Sequence, residues 1–156
     1  MPMNAKMDAL PAGEGERVSF LNSVITVKVE AREGGPPYTV LELMIRPGAA
    51  PLPHIHLHED ECFYVLEGTM LFRCGDTAQT LEPGGFVRLP RGVVHSCEVR
   101  GDVPARVLVL CAERGFASFA AALGRPVGDR AATDTEGLDP AVLTEVAAKH
   151  GIELCR

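Results

Sequence analysis

Gly48-Ala49-Ala50-Pro51-Leu52-Pro53-His54-Ile55-His56-Leu57-His58-Glu59-Asp60-Glu61-Cys62-Phe63-Tyr64-Val65-Leu66-Glu67-Gly68 places His54, His56 and Glu61 at fixed spacing between two glycines. Reduced to its spacing, the stretch reads Gly48-x5-His54-x-His56-x4-Glu61-x6-Gly68, and Gly84-x5-Pro90-x-Gly92-x2-His95 follows it. In a strand, residues i and i+2 point to the same side about 6–7 Å apart. Two imidazoles at that spacing can lean onto one cation at about 2.1 Å. Glu61 opens the run Cys62-Phe63-Tyr64-Val65 and shares a face with Phe63 and Val65. A carboxylate on such an apolar face is costly to bury without a cation or donor beside it. Glu59 and Asp60 carry no such constraint and are expected to be solvated. His95 comes just after the rigid turn Pro90-Arg91-Gly92 and alternates with Cys97 and Val99. With His54 and His56 on one strand and Glu61 and His95 on two others, these four candidate ligands meet only if the sheet curls with these faces inward.

The flanking sequence supports many short strands. Residues 18–29 are rich in β-branched side chains, and Gly34-Gly35-Pro36-Pro37 breaks the chain before a strand over 38–46. Between residues 53 and 110, short apolar runs are separated by Glu67-Gly68, Gly75-Asp76, Pro83-Gly84-Gly85 and Gly101-Asp102, the spacing of an antiparallel all-β sandwich or barrel. The period then changes. Phe116, Phe119, Ala120 and Leu123 share one helical face, and this helix is expected to pack near the barrel and border the pocket entrance. Residues 125–137 read as a polar linker. Asp139-Pro140 starts a second helix with a stripe of Leu138, Val142 and Val146, and Gly151 stops it after His150, a helix-end residue. The expected organisation is an arm over 1–15, a barrel over 16–112 and a helical extension packed on it over 113–156, with no internal repeat.

A chain of 156 residues, 46% hydrophobic, is long enough for one buried core, which must rest on Val, Leu, Ile and Met because Trp is absent. A net charge of −6 with no Lys/Arg cluster argues against a nucleic-acid partner. No apolar run suits a signal peptide or a membrane span, so the expectation is a soluble cytoplasmic protein without a membrane partner. The five cysteines are odd in number and form no C-x-x-C pair, so they read as reduced thiols used as small hydrophobes. His58 falls in the polar turn and is not needed as a ligand.

The two spaced stretches resemble the two signature motifs of the cupin superfamily, glycine for glycine and histidine for histidine, over residues 38–110. The resemblance implies an all-β double-stranded β-helix (a jelly-roll barrel), here with two C-terminal α-helices. It puts His54, His56, Glu61 and His95 at the metal-ligand positions and Gly48, Gly68, Gly84, Pro90 and Gly92 at the turns. Val99 stands where the second motif usually ends in asparagine, which is not a ligand position. The whole chain is similar to small single-domain bacterial cupins called quercetin-dioxygenase-like, and the tail Ala147-Ala148-Lys149-His150-Gly151-Ile152-Glu153 shares that likeness.

What the resemblance implies chemically is one divalent transition metal, iron or manganese in function, with nickel, zinc, cobalt or copper compatible with the same donors. The implied activity is that of a metal-dependent dioxygenase on a small apolar or aromatic substrate, with Glu61 both ligand and base. A non-catalytic binding or sensing module, or a sugar isomerase or epimerase, is the alternative. Val40, Phe63, Val65, Met70, Phe72, Cys97, Val99 and Leu108 are the expected pocket lining. Arg46, Arg73 and Arg88 are expected on solvated faces, and a homodimer is expected by fold analogy.

Overall fold

The computed structural model describes residues 7–48, 52–127 and 138–155; residues 1–6 of the expected arm and 128–137 of the expected linker lie outside them. Within these limits the chain forms two antiparallel sheets and two helices. In chain order the strands are β1 (Glu16–Phe20), β2 (Ser23–Val29), β3 (Thr39–Ile45), β4 (His54–His56), β5 (Glu61–Glu67), β6 (Thr69–Cys74), β7 (Thr77–Leu81), β8 (Phe86–Leu89), β9 (His95–Arg100) and β10 (Ala105–Cys111). They are followed by α1 (Gly115–Leu123), β11 (Arg125–Pro126), α2 (Pro140–Lys149) and β12 (Ile152–Leu154). The seven-stranded sheet runs β11-β1-β2-β3-β10-β5-β8, and the five-stranded sheet runs β12-β4-β9-β6-β7. From β4 onward the chain passes repeatedly from one sheet to the other, so side chains from both sheets face a shared interior.

Burial follows the two-residue period of a sheet with one inner face. Leu41 and Leu43 of β3, Phe63 and Val65 of β5, and Val107 and Val109 of β10 are all buried, while their neighbours in sequence are half-buried or exposed. Met70 and Phe72 of β6, with Leu89 of β8, close the core from the remaining strands. Every large core residue is aliphatic except Phe20, Phe63, Phe72 and Phe119. Among the described residues, no helix is long and apolar enough to cross a membrane.

Gly68 marks the crossing from β5 to β6. Its φ is +77°, and a Cβ there would lie 2.8 Å from both Ala105 Cα and Pro104 O. Left-handed strain and backbone crowding therefore act together. Gly68→Ala is expected to lower stability by about 3 kcal/mol, read as an earlier urea midpoint at unchanged m-value.

Both helices fall where the apolar periodicity places them. Asp139 Oδ1 accepts the Ala141 N–H at 2.8 Å with Pro140 in the first turn, and Gly151, at φ +71°, follows the end of α2. The structure differs at two places. Arg125–Pro126, expected as linker, pairs with β1 as β11. The tail after Gly151, expected as part of the helical extension, is the strand β12, antiparallel to β4 with Ile152 opposite His56 and Leu154 opposite His54. Ile152 is buried, and that contact holds a strand of three residues, too short for any period to announce.

Candidate metal centre

The histidine pair is built by the shortest interior strand. β4 holds His54 and His56 on one face, and it is tied on one side to β12 and on the other to β9, where His54 stands opposite His95. The turn before His95 is anchored to the same strand, because Gly92 N–H donates to His56 O at 2.8 Å. Glu61, the first residue of β5, reaches the cluster from the opposite sheet.

The three imidazole rings pack closely, with centroids 5.1 Å apart for His54–His56, 4.5 Å for His54–His95 and 5.3 Å for His56–His95. Each ring is oriented through Nδ1. His54 Nδ1–H donates to Leu52 O at 2.7 Å and His95 Nδ1–H to Val93 O at 3.0 Å. His56 Nδ1–H donates to Glu59 Oε1 at 3.3 Å. A carbonyl can only accept, so Nδ1 carries the proton, and Nε2 is left with a lone pair aimed inward. Glu61 Oε2 lies 3.5 Å from His95 Nε2 and 3.8 Å from His56 Nε2.

One ligand atom from each of His54, His56, Glu61 and His95 lies within 4.8 Å of the others. Bonds of about 2.1 Å to one octahedral ion require donor separations of about 3 to 4.2 Å, so small side-chain adjustments suffice. His56 Nε2 and His95 Nε2 are buried without a hydrogen-bond partner, which is rare for polar atoms in native interiors. A cation satisfies both lone pairs and also compensates the buried Glu61 carboxylate, which is only 3% exposed. The donor set therefore fits a divalent transition metal.

The carboxylate and the imidazoles also shift one another's protonation. Burial alone would raise the Glu61 carboxyl, but His95, His56 and His54 outweigh it and hold its pKa below the usual range. Burial lowers His54, with Glu61 opposing. For His56 burial is outweighed by the bond to Glu59 and by Glu61, so its pKa lies above the ordinary value. Burial, then Glu61 and Glu98, push the Cys97 thiol up to about 12; Cys97 lines the cavity and lies outside the four-residue cluster.

Beside the cluster lies a cavity of about 140 Å³, bordered by His54, Glu61 and His95 and otherwise almost entirely apolar. Of the expected lining, Phe63 and Cys97 are there. Val65, Met70 and Phe72 point inward but are fully buried in the core, and Val99 packs against that core without reaching the cavity. Val40 and Leu108 belong to the opposite parity: Leu41, Leu43, Val107 and Val109 take the inner face, leaving these two on the outer face with Leu110 and Tyr64. The remaining wall comes from distant segments, with Phe20 of β1, Ile25 of β2, Phe116 and Phe119 of α1 and Ile152 of β12. The expectation that α1 borders the pocket thus holds. Arg73 and Arg88 are exposed, as expected for solvated faces, and His58 is exposed and outside the cluster.

Glu59 departs most from its expectation. It is only 3% exposed, bonded to His56 and to the backbone that opens α1. Asp60, by contrast, stays near the surface and accepts from Arg88 Nη1 at 2.8 Å and from the Arg91 N–H at 3.1 Å. The spacing His56-x-x-Glu59 was the available sequence signal, but the partners that bury Glu59 lie more than 50 residues away.

Residues 41–111 match the family model described as Cupin domain. Among curated proteins, the tetracenomycin polyketide synthase protein TcmJ of Streptomyces glaucescens is 34% identical over 64 residues, 41% of this chain and 43% of that protein. Quercetin 2,3-dioxygenase of Bacillus subtilis is 27% identical over 126 residues, 81% of this chain and 37% of the dioxygenase. The chain thus spans less than half the length of these relatives. Among solved structures, the polyketide cyclase RemF of Streptomyces resistomycificus superposes with a TM-score of 0.57 at 20% identity, over 68% of this chain and 79% of RemF.

Proposed function

Residues 41–111 of this chain are a cupin domain, and on that premise we propose that the protein is a metal-dependent dioxygenase acting on a small apolar, aromatic or enolic molecule. The observation that carries this reading is the apolar cavity opening directly onto His54, Glu61 and His95. A volume of about 140 Å³ is close to that of an engineered protein cavity known to take benzene. One aromatic ring fits inside, and the rest of a larger molecule would extend past Leu52, which is exposed at the rim. No Lys or Arg is among the described lining residues, which disfavours sugar phosphates and with them the isomerase alternative. The likeness to quercetin 2,3-dioxygenase along 81% of the chain supports the choice of oxygen chemistry.

His54, His56, Glu61 and His95 would hold the cation, which supplies Lewis acidity and, for iron, manganese or copper, redox capacity toward O2. The chain's own contribution is positioning and proton handling. Phe63, Phe116 and Phe119 bind the ring and exclude water. Glu61, kept ionised by its imidazole neighbours, would take the proton of a substrate hydroxyl on the carboxylate oxygen that does not face the cation.

The test is oxygen consumption by the full chain loaded with Fe(II) or Mn(II) and offered flavonols, catechols and 1,3-diketones. Uptake matching substrate loss is expected, together with a fall of about 100-fold in turnover for Glu61→Gln. Absence of uptake with every redox-active metal would overturn the oxygenase. The match to TcmJ, a polyketide synthase protein, favours a second reading in that event: a polyketide-like substrate transformed without O2. A ligand-induced rise in thermal midpoint with no turnover of any kind would instead identify a binding module.

A further inference from the structure

Glu59 is a buried carboxylate with three partners from two parts of the molecule. Its Oε1 accepts from His56 Nδ1–H at 3.3 Å and from the Phe116 N–H at 3.1 Å, and its Oε2 accepts from the Glu113 N–H at 3.1 Å. Helix α1 has no cap of its own: Arg114 at the N-cap makes no side-chain capping bond, its guanidinium pairing with Glu30 instead, and the first turn holds no acidic residue. Glu59 supplies both the acceptors and the negative charge that a helix N-terminus favours. Gly115 makes room for it, since a Cβ there would come within 2.6 Å of Glu59 Oε1. The helix so anchored carries Phe116 and Phe119, which wall the cavity.

We infer that Glu59 is a positioning residue that couples the metal centre to the α1 wall of the cavity, aiming His56 at the cation while holding the first turn of α1. This rests on the metal-binding reading of the four-residue cluster. When Nε2 of His56 donates to a cation, its Nδ1–H becomes a stronger donor, and the bond to the carboxylate shortens and strengthens. That bond fixes the carboxylate in place, and with it the acceptors that the Phe116 and Glu113 N–H groups meet. By linkage, a firmer α1 favours cation binding in return.

The experiment uses the full chain and Zn(II) alone, with Zn affinity from chelator competition and amide hydrogen exchange followed by mass spectrometry. In the native protein, Zn(II) is expected to slow exchange over residues 113–120 several-fold and to leave β7, which carries none of the ligands, unchanged. Glu59→Gln is expected to bind Zn(II) about tenfold to 100-fold more weakly and to lose the metal-dependent slowing at α1. Gly115→Ala touches no ligand, and it is expected to weaken Zn(II) in the same direction by displacing the carboxylate. Native exchange over 113–120 that ignores Zn(II) overturns the coupling without requiring any variant to fold. Folded Gly115→Ala protein with native Zn(II) affinity overturns it as well. Native protein that takes up no metal overturns the metal-binding reading and this inference together, which separates that failure from the others.

Discussion

Protein carrying His54→Ala together with His56→Ala is expected to retain its sheets and to lose bound metal entirely, from near one equivalent to background by elemental analysis of untagged material. Both rings sit on β4 and reach the cluster through Nε2, so their removal leaves only Glu61 and His95, from different sheets, to hold an ion. Two ligands cannot define a transition-metal site that selects against water and buffer. The native protein should also show the converse. A ligand present at 100 times its Kd raises stability by about 2.7 kcal/mol, so a chelator should lower the native thermal midpoint and leave the double variant's unmoved. Circular dichroism separates loss of metal from loss of fold. Folded double variant that still carries an equivalent of metal would remove His54 and His56 from the site. The identity of the native ion then directs the chemistry, with iron, manganese or copper favouring oxygen and zinc favouring reactions without electron transfer.

The ligand candidates were legible because each rests on a local pattern: a two-residue spacing in a strand for His54 and His56, and a rigid turn that delivers His95. Glu61 was legible through a conflict, a carboxylate on the same face as Phe63 and Val65. The walls of the cavity were less so. Phe20, Ile25, Phe119 and Ile152 meet there only because β1, β2, α1 and β12 are folded over β4, and no local period encodes that meeting. Strand parity explains Val40 and Leu108: alternation in β3 and β10 is plain in the sequence, but a run such as Val107-Leu108-Val109-Leu110 is apolar on both faces and does not say which is inward. Glu59 fails for a different reason. A Glu beside Asp60 in a polar turn is ordinarily solvated, and its burial here is produced by the Glu113–Phe116 backbone, far along the chain.

Phe119→Ala is expected to produce the largest loss of stability among single changes at the cavity, about 3–5 kcal/mol, with metal content preserved. Phe119 is only 3% exposed and meets Phe20 edge-to-face, with centroids 5.0 Å apart and planes at 80°. Truncation removes that aromatic pair and enlarges a cavity already present, so the void cannot be closed by collapse of a dense core. Urea unfolding should show a lower midpoint with an unchanged m-value. Phe86→Ala supplies the contrast, because Phe86 is 59% exposed on β8 and its loss should cost well under 1 kcal/mol. Binding should respond as well: a phenolic probe such as 1-naphthol, seated against Phe119, should lose about tenfold in affinity in the variant, since the removed ring is one wall of its site. If stability falls but the probe binds as before, Phe119 is core alone and the substrate lies elsewhere. If both stay at native values, α1 does not cover the barrel mouth.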